Sequence, residues 1–302
     1  MEDMITGLCP QCGHTLHIPA ELASFSCMYC GARLTKEQLA AEPPAAQEAD
    51  EDRAAYYDRA VSRLGWCIKN FGGYQKKIMR DVFFDAFETY ETGCAPVIQE
   101  LARGVAPEQQ TQLLGRAAAA MLDELEAGWQ KKGDMEDEKI VLAIFFVPMV
   151  RKQQLPISEE FVTILQKQWV ERYPKSPFYL GDYESISGGF RKKFLGLCFI
   201  TTAVCQELGK PDDCEELTAF RAFRDGYLRS QPDGEALIRE YYNIAPGIVT
   251  CINTCSDRHA SYARIREEYL APCYQDLLAG RNESCKARYV RMVRDLEREY
   301  LS

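Results

Sequence analysis

Two pairs of cysteines near the amino terminus constrain the fold more than any other feature of the sequence. Each pair has the spacing Cys-x-x-Cys: Cys9 with Cys12, and Cys27 with Cys30, with fourteen residues between the pairs. A short turn of this kind aims two thiolates at one ion, and the glycine that follows each pair can take the positive φ that such a turn requires. Four sulfurs complete a tetrahedron without an open position. The spacing therefore predicts a structural Zn²⁺ site formed by these four cysteines.

Residues 1–34 are predicted to form a zinc ribbon, a small β unit with short strands around residues 15–18 and 25–26. A unit of this size buries too little apolar surface to fold alone, so bound zinc is expected to supply its folding free energy. The segment resembles the amino-terminal zinc ribbons of many bacterial proteins. His14 and His17 are alternative ligands for the same ion.

The charge of the chain bears on its partners. Lys and Arg number 36 against 45 Asp and Glu, which gives a formal charge of -9. Residues 1–34 hold one arginine against three acids, a net charge of -2 before any zinc-thiolate charge is counted. Proteins that bind phosphates usually carry a basic face. The balance argues against nucleic acid and favours a protein as the partner of the ribbon.

The sequence predicts a cytoplasmic protein without a membrane span. Its longest uncharged apolar run covers the eleven residues 140–150 and contains Pro148, whereas a spanning helix needs about 20 residues. The amino terminus is acidic where a secretory signal would be basic and then apolar. Thirteen cysteines in such a chain indicate reduced thiols, metal ligands or small buried side chains rather than a disulfide framework.

The rest of the chain divides into a linker and two helical parts. Residues 35–52 contain six acids, one lysine and a Pro-Pro step without apolar periodicity, which predicts an acidic linker. Beyond it, apolar residues recur at helical spacing and strand-like alternation is nearly lacking. We expect a helical domain over 53–185 and a second over 186–302, with a Pro- and Gly-rich boundary region at 174–190. The predicted fold class is mainly α: a small β zinc ribbon followed by an all-α helical body.

Glycine and proline set the expected helix ends within this body. A helix predicted over 74–92 should end at Gly93 and Pro96. Pro246 should interrupt the helix that begins near Glu235, because proline removes an amide donor and clashes with the preceding turn.

Three motifs in the carboxy-terminal part follow one another in a specific order. They are Cys198-Phe-Ile-Thr-Thr-Ala, Phe220-Arg-Ala-Phe-Arg-Asp and Tyr241-Tyr-Asn-Ile-Ala-Pro. Over roughly 195–255 this order resembles the CFI-box domain found at the carboxy terminus of bacterial proteins. The resemblance implies a recurrent module attached to varied amino-terminal regions, and it implies no particular activity. One departure is Thr-Thr-Ala-Val after the isoleucine, where other versions commonly have Ala-Thr-Ala-Ala.

Cys198 is the candidate catalytic residue, as a nucleophile. That role requires a lowered thiol pKa and a general base, and His259 is the one histidine outside the ribbon. The alternative is a thiol packed as a small hydrophobe. A second metal site is a further alternative, with ligands drawn from the cysteines of this part: Cys198, Cys205, Cys214, Cys251 and Cys255. The neighbouring Arg224 and Asp225 are expected either to form an internal ion pair or to lie exposed.

The sequence lacks the common nucleotide-binding, hydride-transfer, acyl-transfer and zinc-hydrolase motifs. The leading hypothesis is therefore an interaction or adaptor protein with structural zinc, which contacts a protein through the ribbon and the helical body. The alternative is an enzyme that uses Cys198 or a second metal site. The sequence specifies no small-molecule substrate.

Overall fold

The computed structural model describes residues 4–11, 15–28, 30–39, 50–191 and 198–302. They belong to two compact units, Met1–Ala54 and Ala55–Ser302. The first contains short strands and the second is built from helices. The predicted fold class, mainly α with a small amino-terminal β part, is confirmed.

The first unit consists of two antiparallel hairpins. Strand β1 (Met4–Leu8) pairs with β2 (Thr15–Pro19), and β3 (Ser24–Ser26) pairs with β4 (Arg33–Thr35). The strands expected around residues 15–18 and 25–26 are thus present. A 3₁₀ turn, Lys36–Gln38, follows β4. The middle of the predicted acidic linker, residues 40–49, lies outside the described residues.

The helices in chain order are α1 (Asp50–Leu64), α2 (Trp66–Lys69), α3 (Phe83–Gly104), α4 (Gln110–Gly128), α5 (Lys132–Val141), α6 (Val147–Lys152), α7 (Ser158–Arg172), α8 (Tyr183–Arg191), α9 (Phe199–Glu207), α10 (Glu215–Ala222), α11 (Gly234–Cys255), α12 (Arg258–Ile265), α13 (Ala271–Leu278) and α14 (Asn282–Tyr300). Three π-helical turns continue or join them: Leu142–Phe146 between α5 and α6, Phe223–Tyr227 after α10, and Arg266–Leu270 between α12 and α13. Across the described ranges, every helix falls short of the length or the apolar character that crossing a bilayer demands.

A single hydrophobic core runs through the second unit. Phe83 of α3 stacks on Phe190 of α8 with ring centroids 4.4 Å apart, and it also packs on Phe145 at 5.7 Å. All three rings are buried. The core therefore crosses from the 53–185 part into the 186–302 part, a point that the sequence leaves open.

Part of the predicted boundary region 174–190 is helical. Helix α8 starts at Tyr183, and the backbone N–H of Ser185 donates to the Asp182 carboxylate at 2.8 Å, as in an N-terminal cap. Phe178 and Ile186 are buried in the core. The prolines and glycines here shape a packed turn.

Helix α3 contradicts the predicted helix end at Gly93 and Pro96, because it begins at Phe83 and runs through both residues to Gly104. Pro96 lies on the exposed face of the helix, where water can satisfy the carbonyl that loses its amide donor. The opposite face buries apolar side chains throughout its length. The apolar burial outweighs the cost of proline in a helix, about 3 kcal/mol.

Helix α11 likewise continues through Pro246, contrary to the predicted interruption. The segment that precedes α3 packs against it at this point. The backbone N–H of Arg80 donates to the carbonyl of Asn243 at 3.0 Å, and that of Asp81 donates to the Asn243 side chain at 3.1 Å. Gly247 provides the room for this approach, since its missing side chain would meet the Ile78 carbonyl. Tertiary packing thus holds together a helix that proline would weaken in isolation.

Candidate functional site

Three of the four predicted zinc ligands lie together in the first unit. The sulfur atoms of Cys9, Cys27 and Cys30 are all within 4.8 Å of one another, so these residues could hold a metal ion. Cys9 and Cys27 are buried and Cys30 is exposed. The Cys9 and Cys30 sulfurs are 3.7 Å apart, and the edge of a tetrahedron with metal–sulfur bonds of 2.3 Å is about 3.8 Å. The spacing of the thiols therefore fits a shared tetrahedral ion.

The second cysteine pair adopts the turn expected of a metal knuckle. The backbone N–H of Gly31 donates to the Cys27 carbonyl at 2.8 Å, and that of Cys27 donates to the Ala32 carbonyl at 2.8 Å. Gly31 has a φ of +74°, a left-handed conformation that favours glycine. The positive φ predicted for the glycine after Cys30 is confirmed.

The other predicted ligands are described only in part. Cys12 and His14 lie outside the described residues. His17 is an exposed residue of β2. Among the described residues of this unit, the group that is close enough to share an ion consists of cysteines alone.

The CFI-box-like motifs assemble around one cavity in the second unit. Cys198 immediately precedes α9, and its sulfur lies 3.5 Å from Nη1 of Arg224, which follows α10. The Ile200 N–H donates to the hydroxyl of Tyr241 on α11 at 3.0 Å. Three separate segments of the carboxy-terminal part thus meet at the start of α9.

The cavity has a volume of about 60 Å³ and an almost wholly apolar wall. Its lining includes Cys198, Phe220, Phe223, Arg224, Tyr241 and Tyr289. Glu240 and Arg294 also line it, and their side chains form an ion pair with a contact of 2.7 Å. A cavity of this size can accept a small apolar group.

The ion pair between Arg224 and Asp225 is present and lies between the two predicted forms, because one partner is buried and the other is exposed. Two charge-assisted hydrogen bonds of 2.7 and 2.6 Å join the guanidinium to the carboxylate. Arg224 is buried while the Asp225 side chain is half exposed. The hydrogen bonds from Arg224 hold the pKa of Asp225 below its usual range. The carboxylate of Asp225 thus compensates and orients the charge of the buried Arg224 at the cavity wall.

The environment of Cys198 differs from that of a cysteine nucleophile. Burial raises the pKa of its thiol, while the nearby Arg224 guanidinium opposes that shift without cancelling it. The hypothesised base, His259, is an exposed residue of α12 whose Nδ1 contacts the Glu207 carboxylate. The contacts of Cys198 favour a packed thiol at the cavity wall over an activated one.

The remaining cysteines of the alternative second metal site make separate contacts. The Cys205 and Cys214 sulfurs lie 3.8 Å apart, whereas the Cys251 sulfur lies 3.6 Å from the carbonyl of Tyr300. In the described part of the chain, no group of three or more Cys, His, Asp or Glu ligands outside the ribbon comes close enough to share an ion.

Neither a known family model, nor a curated protein, nor a solved structure matches this chain. What the chain does must therefore be inferred from the cysteine cluster and the cavity themselves.

Tyr289 is a cavity residue that sequence reasoning missed. It belongs to the apolar stripe of α14, and its hydroxyl lies within hydrogen-bonding distance of Thr201 Oγ1, at 3.2 Å. A tyrosine in an apolar helical stripe usually needs a polar partner when buried. The sequence therefore indicated that Tyr289 needs a polar partner, but it did not identify Thr201 as that partner.

Proposed function

We propose that the chain is a zinc-dependent interaction protein, with one structural Zn²⁺ held by Cys9, Cys12, Cys27 and Cys30. The observation that carries the proposal is the clustering of three thiols at a spacing that fits a tetrahedral ion. Cys12 would supply the fourth sulfur because it shares the first Cys-x-x-Cys turn with Cys9. Four thiolates are the typical ligand set of a closed structural zinc site.

Exposed apolar side chains on the first unit support protein contact as its role. Met28, inside the second knuckle, is 82% exposed, and Met4 and Leu22 are 53% and 44% exposed. An interaction surface is built from exposed apolar side chains that lie together, and these three residues are the candidates for one on this unit. The acidic balance of residues 1–34 adds that a protein, rather than a phosphate backbone, is the better-suited partner. The helical body, with its CFI-box-like carboxy-terminal part, would then carry the ribbon as one module of a cytoplasmic adaptor.

The alternative, an enzyme that uses Cys198, has the adjacent cavity in its favour. The raised pKa of the thiol weighs against it, because the thiolate is the nucleophilic form. The adaptor is the better-supported proposal.

Metal content tests the zinc proposal. Purified protein is expected to contain about one zinc ion per chain by elemental mass spectrometry. A variant with all four ribbon cysteines changed to serine should contain almost none, whereas Cys214→Ser should keep the full content. Zinc retained in the four-cysteine variant would place the ion elsewhere and contradict the proposal.

The exposed knuckle residue offers a test of the interaction role. Met28→Ser combined with Leu22→Ser is expected to reduce recovery of bound partners from a lysate of the host cell at least about tenfold, a loss of roughly 1.4 kcal/mol in binding. The matched control is Leu278→Ser, since Leu278 is 64% exposed on the second unit. Equal zinc content in all variants would show that the ribbon remains folded. A partner lost with Leu278→Ser but kept by the ribbon variant would contradict contact through the ribbon.

A further inference from the structure

In the described part of the second unit, three pairs of thiols are in hydrogen-bonding contact. The pairs are Cys67 with Cys94, Cys205 with Cys214, and Cys273 with Cys285. Two of these pairs are completely buried, each of their residues being 0% exposed. In the remaining pair, Cys214 is partly exposed while Cys205 is buried. One pair therefore combines close thiols with access from solvent.

The backbone around Cys205 and Cys214 holds these two thiols together. Cys205 lies in the last turn of α9, and Cys214 immediately precedes α10. The Lys210 N–H donates to the Cys205 carbonyl at 2.9 Å, and the Cys214 N–H donates to the Pro211 carbonyl at 3.1 Å. These bonds fold the connection into a tight turn that brings the ends of the two helices side by side.

The distance between the two sulfurs suits disulfide formation. They are 3.8 Å apart, and a disulfide bond brings two sulfurs to about 2.05 Å. The difference of about 1.8 Å is within the range of side-chain rotation at the two residues, one in the last turn of α9 and the other just before α10. A salt bridge of 2.7 Å from Lys210 to Glu216 spans the same turn and leaves the helix ends in place.

The two thiols differ in their access to solvent. Burial, reinforced by the neighbouring Cys214, raises the pKa of Cys205 to about 12. Cys205 is only 2% exposed. An oxidant from solvent therefore reaches Cys214 first, and Cys205 is placed to react with the product.

We propose that Cys205 and Cys214 form a redox modification site that a peroxide-class oxidant closes to a disulfide. The Cys214 sulfur attacks one oxygen of hydrogen peroxide, the O–O bond breaks, and sulfenic acid and one water result. The Cys205 sulfur then attacks the Cys214 sulfur: the S–S bond forms, the S–O bond breaks, and the hydroxyl leaves with the thiol proton as a second water. The raised pKa of Cys205 lowers its thiolate fraction, and the 3.8 Å between the two sulfurs offsets this because the attack is intramolecular. In total, two thiols are oxidised and one peroxide is reduced to two waters.

The disulfide would connect two helices next to the cavity. Helix α9 follows directly on the lining residue Cys198, and α10 contributes the lining residue Phe220 before the turn with Arg224. Joining the far end of α9 to the start of α10 restricts how these two segments can move apart. Oxidation would thus make the cavity more rigid without adding a group to it.

Peptide mapping of the full-length, zinc-containing protein tests the proposal. After treatment with hydrogen peroxide and digestion with glutamyl endopeptidase without reductant, cleavage after Glu207 separates the two cysteines. A cross-linked product containing Cys205 and Cys214 is expected, and reductant should release its two peptides. The cross-link should form at least about tenfold faster than any change at the two buried pairs, because thiol oxidation follows access.

Two variants separate the chemistry from a folding defect. Cys214→Ser should abolish the cross-link, whereas Cys205→Ala should leave a sulfenic acid at Cys214 that a cyclic diketone traps. Both should retain the helical circular dichroism of the wild-type chain. Peroxide that leaves Cys205 and Cys214 as thiols in the folded protein would overturn the proposal. So would a faster reaction at either buried pair.

Discussion

Replacing Gly247 with alanine is expected to destabilise the helical unit by roughly 3 kcal/mol or more, near the upper end for a single substitution that overpacks a core. The added Cβ would clash with the carbonyl oxygen of Ile78 and lie 3.1 Å from its carbonyl carbon. Both are backbone atoms, so no side-chain rotation can relieve the overlap. Moving the segment away would also strain the hydrogen bond from Arg80 to Asn243. The substitution therefore acts on a contact between distant parts of the chain.

Urea unfolding followed by circular dichroism measures this effect. Gly115→Ala is the matched control, because Gly115 lies inside α4 and the nearest atom to its added Cβ is Gln168 Nε2 at 3.9 Å. With space available, alanine should be neutral or stabilise the helix by up to about 1 kcal/mol. If the two variants unfold at similar urea concentrations, the 78–81 segment does not pack on α11 as closely as the structure indicates.

Features that depend on neighbours along the chain could be predicted from the sequence. Within a Cys-x-x-Cys turn the two cysteines are only three positions apart, so local spacing alone brings Cys27, Cys30 and Gly31 into a knuckle. Helical periodicity likewise predicted the all-α body. Each of these patterns reflects a local geometric repeat.

Features that depend on distant contacts could not be predicted. Proline was expected to end or interrupt a helix at Pro96 and Pro246. The cost of proline depends on its neighbours along the chain, whereas the burial that offsets this cost depends on contacts with distant residues. The approach of residues 78–81 to α11 joins positions more than 160 apart. For the same reason, the sequence did not show whether the parts on either side of residue 185 share a core. The stacking of Phe83 on Phe190 shows that they do.

The candidate sites likewise combine features that the sequence predicts with features that only the fold shows. The motif order identified Cys198, Arg224 and Tyr241 as related residues, yet only the folded chain shows that they line one cavity. The pairing of Cys205 with Cys214 follows from the tight turn between their helices. Composition alone could equally well assign these cysteines to a metal site.

Removing the metal is expected to unfold the first unit while the helical unit stays folded. Few side chains form the core of the β unit, and two of them are the cysteines Cys9 and Cys27, beside Leu16 and Leu34. So small a core cannot offset the entropy of ordering its residues. Under the proposed zinc site, the metal supplies the difference, and zinc binding contributes roughly 10 to 16 kcal/mol in comparable peptides. Chelation should therefore remove essentially all of this unit's stability.

Hydrogen exchange read by mass spectrometry can follow the two units separately. In the presence of a zinc chelator, the amides of β1 and β2 should exchange at nearly the rate of an unfolded chain, and added zinc should restore their protection. Amides around the buried Ile144 should exchange equally slowly in both conditions, because they belong to the other compact unit. Strands that remain protected after complete removal of the metal would mean that the packing of this small core suffices without the ion. In that case zinc would have a role other than stabilising the fold.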